Sequence, residues 1–148
     1  MKNADSTITA FVVRDDAKMS HLTNMFGKKT IDGWPAYVYG EKCVYCIMRK
    51  ANQGYEDNQW TYARTTNGGF FMYPEGKSFI DTFRHYNGPE CKMSTQAAGL
   101  AVSILAIRLV AGLSSNDAAW ASYSLLVKYA AIHEENTVLL PFLDSFLP

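Results

Sequence analysis

A chain of 148 residues is long enough for one domain with a real core, and 48% apolar, 19% charged and 14% aromatic residues exclude a disordered or fibrous class. Fourteen Lys plus Arg balance fourteen Asp plus Glu, which removes both the basic field that drives nonspecific nucleic-acid binding and the carboxylate surplus that wholesale mimicry of duplex DNA requires. Three cysteines cannot all pair within one chain, so no disulfide scaffold is implied and a reducing compartment is expected.

The polar start Met1-Lys2-Asn3-Ala4-Asp5-Ser6-Thr7 leads into only a short apolar stretch and lacks a signal-peptide pattern, so the protein is expected to stay in the cytoplasm. Asp15-Asp16 complement a helix N-terminus and predict a short helix through about Met25, closed by Phe26-Gly27. Lys28-Lys29 open a loop carrying the turn signal Asp32-Gly33-Trp34-Pro35, and a second helix is expected over about Tyr39 to Asn52. From Gln59 the period falls to two: Trp60, Tyr62 and Arg64 alternate with Thr61, Ala63 and Thr65 before Asn67-Gly68-Gly69 and Phe70-Phe71-Met72-Tyr73. This predicts a hairpin, with a tight primed turn having positive φ at both central residues. A third strand from Ser78 to Tyr86 would complete an antiparallel meander.

Ser94 is the expected N-cap of a helix through Leu113. Its apolar run, Ala97 to Leu113, is broken by Ser103 and Arg108 and falls short of the roughly 20 residues that span a bilayer, so it reads as a core helix and no membrane is implied. After Ser114-Ser115-Asn116 a further helix is predicted, with Trp120, Tyr123, Val127 and Ala130 on one face, antiparallel to its predecessor. Val138 to Phe146, containing Pro141, is expected to dock as a short helix or turn. Without repeats or linkers, the chain reads as a single α+β domain over residues 1–148, a small antiparallel three-stranded meander packed with several helices.

The formal motif for site chemistry is Cys43-Val44-Tyr45-Cys46, whose sulfurs would share a helix face. Ordinary buried thiols are the expectation. A redox pair would need its first cysteine at a helix N-terminus, and a zinc site would need two ligands beyond the scattered Cys91, His21, His85 and His133. No G-x-S-x-G occurs, and the isolated histidines do not identify a base with an orienting partner. His133 reads as a favourable charge at a helix C-terminus and His85 as solvent-facing. Asp15-Asp16, Glu56-Asp57 and Glu134-Glu135 read as solvated caps and loops. No catalytic residue, metal or cofactor is therefore expected. The aromatic hairpin reads as sheet packing, or alternatively as a groove beside Trp60 and Tyr73 that holds a peptide or small ligand.

Four blocks then resemble the ArdB/KlcA antirestriction proteins in order. They are Ile8-Thr9-Ala10-Phe11-Val12-Val13 with Asp15-Asp16 and Phe26-Gly27; Trp60-Thr61-Tyr62 with Thr66 through Pro74; Met93 through Leu100; and Tyr123 through Tyr129 with His133-Glu134 and Leu143-Asp144. The resemblance implies protection of mobile DNA against type I restriction–modification, without supplying catalytic residues. It implies as partner a subunit of the restriction complex or a host factor controlling it. With the neutral surface, action by protein contacts or indirectly is expected, without tight DNA binding. Asp144, with Glu134 and Glu135, is the polar surface the resemblance points to. The non-family alternatives are the ligand groove at Trp60 and Tyr73 and thiol redox chemistry at Cys43 and Cys46.

Overall fold

In the computed structural model, residues 8–13, 18–52, 59–75, 79–84 and 90–146 are described. The first helix, α1 (Lys18–Phe26), buries His21, Leu22, Met25 and Phe26, two i,i+4 pairs that make one inward stripe. Its expected cap at Asp15-Asp16 lies outside the described residues. The two-residue strands β2 (Thr30–Ile31) and β3 (Trp34–Pro35) pair antiparallel. Asp32 at φ 51° and Gly33 at φ 83° give their connection the primed geometry that suits a two-residue hairpin turn. Pro35, locked at φ −56°, precedes α2 (Ala36–Ala51), which therefore starts ahead of the expected Tyr39. Ala36, Gly40, Val44, Met48 and Ala51 are its buried residues.

The predicted hairpin forms from β4 (Trp60–Thr65) and β5 (Phe70–Pro74), with Tyr62 opposite Met72 and Arg64 opposite Phe70. Its turn departs from the expected tight primed form. Gly68 has a positive φ of 99° whereas Asn67 does not, and the loop runs from Thr66 to Gly69. The reason is side-chain chemistry: the Thr65 hydroxyl bonds Asn67 Oδ1 and accepts the Gly69 amide at 2.8 Å, and Asn67 Nδ2 donates to the Leu125 carbonyl at 3.0 Å. Asn67 thus anchors the turn to a helix.

A three-stranded antiparallel sheet is present, as expected, but its third strand is β1 (Ala10–Val13), in the order β1-β4-β5. The segment expected to complete the meander, β6 (Phe79–Arg84), pairs instead with β7 (Glu90–Ser94) in a separate two-stranded sheet. The outer edge of β5 is already occupied by α3 (Thr95–Ser114): the Ser103 hydroxyl accepts the Met72 amide and donates to the Met72 carbonyl, each at 3.1 Å. A Cβ on Gly99 would lie 2.1 Å from Tyr73 Cβ and 2.4 Å from Tyr73 Cα, so only glycine admits this approach of helix to strand.

Ser94 caps α3, accepting the Ala97 amide at 3.1 Å. The helix is long and apolar enough to cross a membrane, with a mean hydropathy of 1.9, yet 72% of that window is buried within the protein, and the helix serves as the axis of the core. The next helix, α4 (Asp117–Ile132), is capped by Asn116 and buries Ala119, Ser122, Leu126, Tyr129 and Ala130. Its buried stripe is thus displaced from the expected one, and Trp120 is 39% exposed. Small Ala119 and Ser122 allow closer helix packing than an indole would. The chain ends in α5 (Asn136–Phe146), which retains helical form around Pro141 and buries Leu139, Phe142 and Leu143.

Candidate functional site

Two of the three expected acidic residues, Glu134 and Glu135, lie at the corner between α4 and α5, where it meets the start of α3. Glu135 reaches across to Ser94, its Oε1 accepting the Ser94 amide at 2.8 Å and its Oε2 accepting the Ser94 hydroxyl at 2.5 Å. Because that hydroxyl also caps α3, Glu135 fastens the last helices to the N-terminus of the core helix. Beside it, His133 Nδ1 accepts the Glu135 amide at 3.0 Å, which leaves the Nε2 proton to be donated to Gln96 Oε1 at 2.9 Å. One neutral tautomer satisfies both ring nitrogens.

His133 does not carry the favourable helix-end charge expected of it. The residue is buried, and burial lowers its pKa against the opposing pull of Glu135 and then Glu134. Its ring meets Tyr129 edge-on with centroids 5.4 Å apart, and Tyr129 packs against Phe71. The histidine therefore couples α4, α3 and, through Tyr129, β5.

Glu134 is exposed at this corner and Asp144 is exposed near the far end of α5. At 1.5 Å per residue, Asn136 and Asp144 are separated by about 12 Å along the axis. The structure therefore joins Glu135 to the corner network and leaves Asp144 at the opposite end of the helix. The two aromatic candidates sit elsewhere. Trp60 is buried and packs edge-on against Tyr45 at 5.4 Å, while half-buried Tyr73 is crossed by α3 at Gly99. Among the described residues, both belong to the packed sheet.

His21 is buried on α1, and its Nε2 donates to the Phe71 carbonyl at 2.9 Å between the rings of Tyr62 and Phe70. Burial pulls its pKa down to about 4, with nearby Arg64 adding to the fall. Its role was visible in the spacing of His21 with Met25 and of Leu22 with Phe26, a stripe into which the histidine fits. Cys43 is half-buried and Cys46 is exposed, a correction to the expectation that both are buried. Burial, then the neighbouring Cys46, pushes the Cys43 thiol up to about 11, opposite to what an activated redox thiol needs. Among the described residues, no three His, Cys, Asp or Glu side chains converge as a metal site. His85 lies outside the described residues.

Two further features escaped the sequence reading. Asn116, 2% exposed, caps α4 through the Ala119 amide at 3.2 Å and donates from Nδ2 to the Phe26 carbonyl at 2.7 Å. It forms one wall of an open cavity of ≈ 530 Å³ that Lys28, Lys29 and Asp117 also line. On the sheet, the Arg64 guanidinium lies 4.7 Å from the Phe70 ring centre and 5.9 Å from that of Phe11. The alternation of β4 carried the signal for this row, but its partner Phe11 required knowing that β1 pairs there.

Comparison with known proteins adds the family. The antirestriction protein family pattern matches residues 53–144. The chain is 32% identical over 133 residues to the uncharacterized protein YafX of Escherichia coli strain K12, covering 83% of this chain and 87% of that protein. It is 27% identical over 148 residues to an antirestriction protein KlcA of Escherichia coli, covering 97% and 100%. Among solved structures it is similar to one from work on the KlcA and ArdB proteins, with a TM-score of 0.74 and 29% identity over 97% of this chain and 100% of that one. Those proteins are described as having a novel fold and antirestriction activity against Type I DNA restriction systems in vivo but not in vitro.

Proposed function

This chain belongs to the antirestriction protein family, and we propose that it protects incoming mobile DNA by inhibiting type I restriction–modification inside the bacterial cytoplasm, without a catalytic step of its own. The observation that carries this reading is the likeness over nearly the whole chain to the KlcA/ArdB structure, whose proteins act in vivo but not in vitro. A protein that blocked the restriction enzyme simply by occupying its DNA channel should act on the purified enzyme as well. Fourteen positive and fourteen negative side chains reinforce the point, since a decoy for duplex DNA must present a dense array of carboxylates. By the same argument, contact with a host factor that controls the restriction complex is the favoured means of action, and contact with a restriction subunit as it is assembled in the cell is the second.

The partner-facing groups in this proposal are Asp144 and Glu134, both exposed, and not Glu135, whose carboxylate is engaged by Ser94. Such charged groups steer and register a protein partner more than they supply raw affinity. A single domain performs the whole task.

The test is phage plating. In a host with an active type I system, expression of the chain should raise the plating of unmodified phage while protective methylation of the host continues. Equal plating with and without the gene refutes the proposal. The purified protein should also leave duplex DNA unshifted at physiological salt, and strongly salt-dependent binding would refute the contact-based mechanism.

A further inference from the structure

The central sheet has two edges of different character. Met72 presents its amide and carbonyl away from β4, and Ser103 satisfies both. The other edge, β1, pairs with no described strand on its outer side, and Phe11 and Val12 are 48% and 64% exposed there. Exposed apolar side chains on an unpaired edge form a template for another strand.

The register says which backbone groups face outward. Thr66 donates its amide to the Thr9 carbonyl at 2.9 Å and accepts the Thr9 amide on its hydroxyl at 3.0 Å, so Thr9 faces β4. Phe11 lies opposite Arg64 and Val13 opposite Tyr62. In an antiparallel ladder the bonded positions alternate, so Phe11 and Val13 also turn their polar backbone groups toward β4, while Ala10 and Val12 turn theirs outward. The same alternation in β5 turns Met72 outward, where Ser103 meets it.

We propose that β1 pairs antiparallel with β1 of a second copy of this chain, about a two-fold axis at Phe11, to give a continuous six-stranded sheet. Within Ala10–Val13 this is the axis that uses both outward residues of each copy, with Ala10 opposite Val12 of the second copy and Val12 opposite its Ala10. Both are bonded positions, so four backbone hydrogen bonds close. The interface is isologous, as closed dimers require. Phe11 then faces its symmetry mate at a non-bonded position, where cross-strand side chains approach most closely.

Charge does not oppose a second copy. Phe70, Arg64 and Phe11 lie side by side across the sheet, one aromatic on each side of the cation. Pairing at Phe11 continues the row through the mate's Phe11, Arg64 and Phe70, and the two guanidinium-bearing strands stand three strand spacings apart, about 14 Å, which exceeds the screening length in physiological salt. A formal net charge of +0 adds no repulsion at longer range. So short a strand makes a small interface, and the dimer is accordingly weak and concentration-dependent.

Sedimentation of the full chain from micromolar to high-micromolar concentration tests this, with an apparent mass that rises from 16.6 kDa toward twice that value. Val12→Pro removes an outward amide that β4 does not use, at an edge position that tolerates proline, and should hold the protein monomeric with an unchanged melting temperature. As a second readout, in a Cys43→Ser, Cys46→Ser, Cys91→Ser background, Phe11→Cys should cross-link to a dimer under diamide far faster than Val12→Cys. A mass fixed at the monomer value overturns the proposal. So does a Val12→Pro protein that dimerises like the parent, or a Val12→Cys protein that cross-links as fast as Phe11→Cys.

Discussion

Ser103 in α3 holds both backbone polar groups of Met72 in β5, its hydroxyl accepting the amide and donating to the carbonyl at 3.1 Å each. Both residues are fully buried. A single hydroxyl thus takes the place of a neighbouring strand at this point, and an apolar core helix can lie against a sheet edge without stranding its hydrogen-bonding groups. Ser103, one of the two polar interruptions of the run from Ala97 to Leu113, has this as its physical cause.

Ser103→Ala should therefore cost more than the removal of an oxygen atom suggests. The substitution leaves a buried amide and a buried carbonyl without partners, a loss of about 1–3 kcal/mol or somewhat more for the pair. Urea unfolding measures it as a lowered midpoint with an unchanged slope. Stability within a few tenths of a kcal/mol of the parent would show that Met72 finds other partners.

Asn116 performs a comparable double duty between segments distant in sequence, capping α4 and holding the Phe26 carbonyl at the end of α1. Asn116→Ala should lose about 1 kcal/mol for the cap and a further 1–3 kcal/mol for the stranded buried carbonyl. Asn116→Ser keeps a capping oxygen but cannot reach Phe26, so its unfolding midpoint should fall between those of the parent and the alanine variant. Equal midpoints for the two variants would remove the Phe26 contact from the account.

The contrast between these residues shows what was legible in the sequence. Ser94 was readable because a cap acts on its own helix, within three residues, and the β4–β5 hairpin was readable because alternation and the Asn67-Gly68 signal are local. The pairing of Phe11 with Arg64 was not readable, since a four-residue strand has too little periodicity to declare its partner across the intervening chain. The buried face of α4 was misread for a related reason. Trp120 is the most apolar marker at that end, but packing favoured the small Ala119 and Ser122. At the candidate site, the acidic residues were identifiable but their division of labour was not: Glu135 binds Ser94 from a position adjacent to solvent-exposed Glu134, and only the fold decides which of two neighbouring carboxylates turns inward.

Stability should fall on mild acidification, with His21 as the main source. Its pKa drops from the ordinary 6.5 to about 4 in the folded chain, so as the pH falls below 6.5 the unfolded chain takes up a proton that the folded chain refuses. His21 therefore contributes no penalty above that range. Its penalty grows between pH 6.5 and about 4 and then levels off, reaching about 3 kcal/mol for a shift of this size. His133, lowered in the same direction, steepens the slope. Chemical unfolding measured between pH 7.5 and 5 should show the decline, and His21→Gln should flatten it whatever its effect on stability at neutral pH. An unaltered slope in that variant would assign the acid sensitivity elsewhere.

Asp144 offers the sharpest test of the proposed contact surface because its carboxylate is exposed and its neighbours Phe142 and Leu143 carry the packing of α5. Asp144→Asn preserves size and hydrogen-bonding capacity while removing the charge, so thermal unfolding should be unchanged. If Asp144 faces a protein partner, antirestriction in the phage assay should drop at least several-fold, on the scale of a charged contact that registers an interface. Glu134→Gln, at the other end of α5, should weaken protection independently, since the two groups lie too far apart to share one short contact. Glu135→Gln serves as the structural comparison: it should lower the melting temperature by weakening the hold on Ser94, and protection should decline only in step with the folded fraction. Full plating protection by Asp144→Asn at normal protein levels would place the contact surface elsewhere on the molecule.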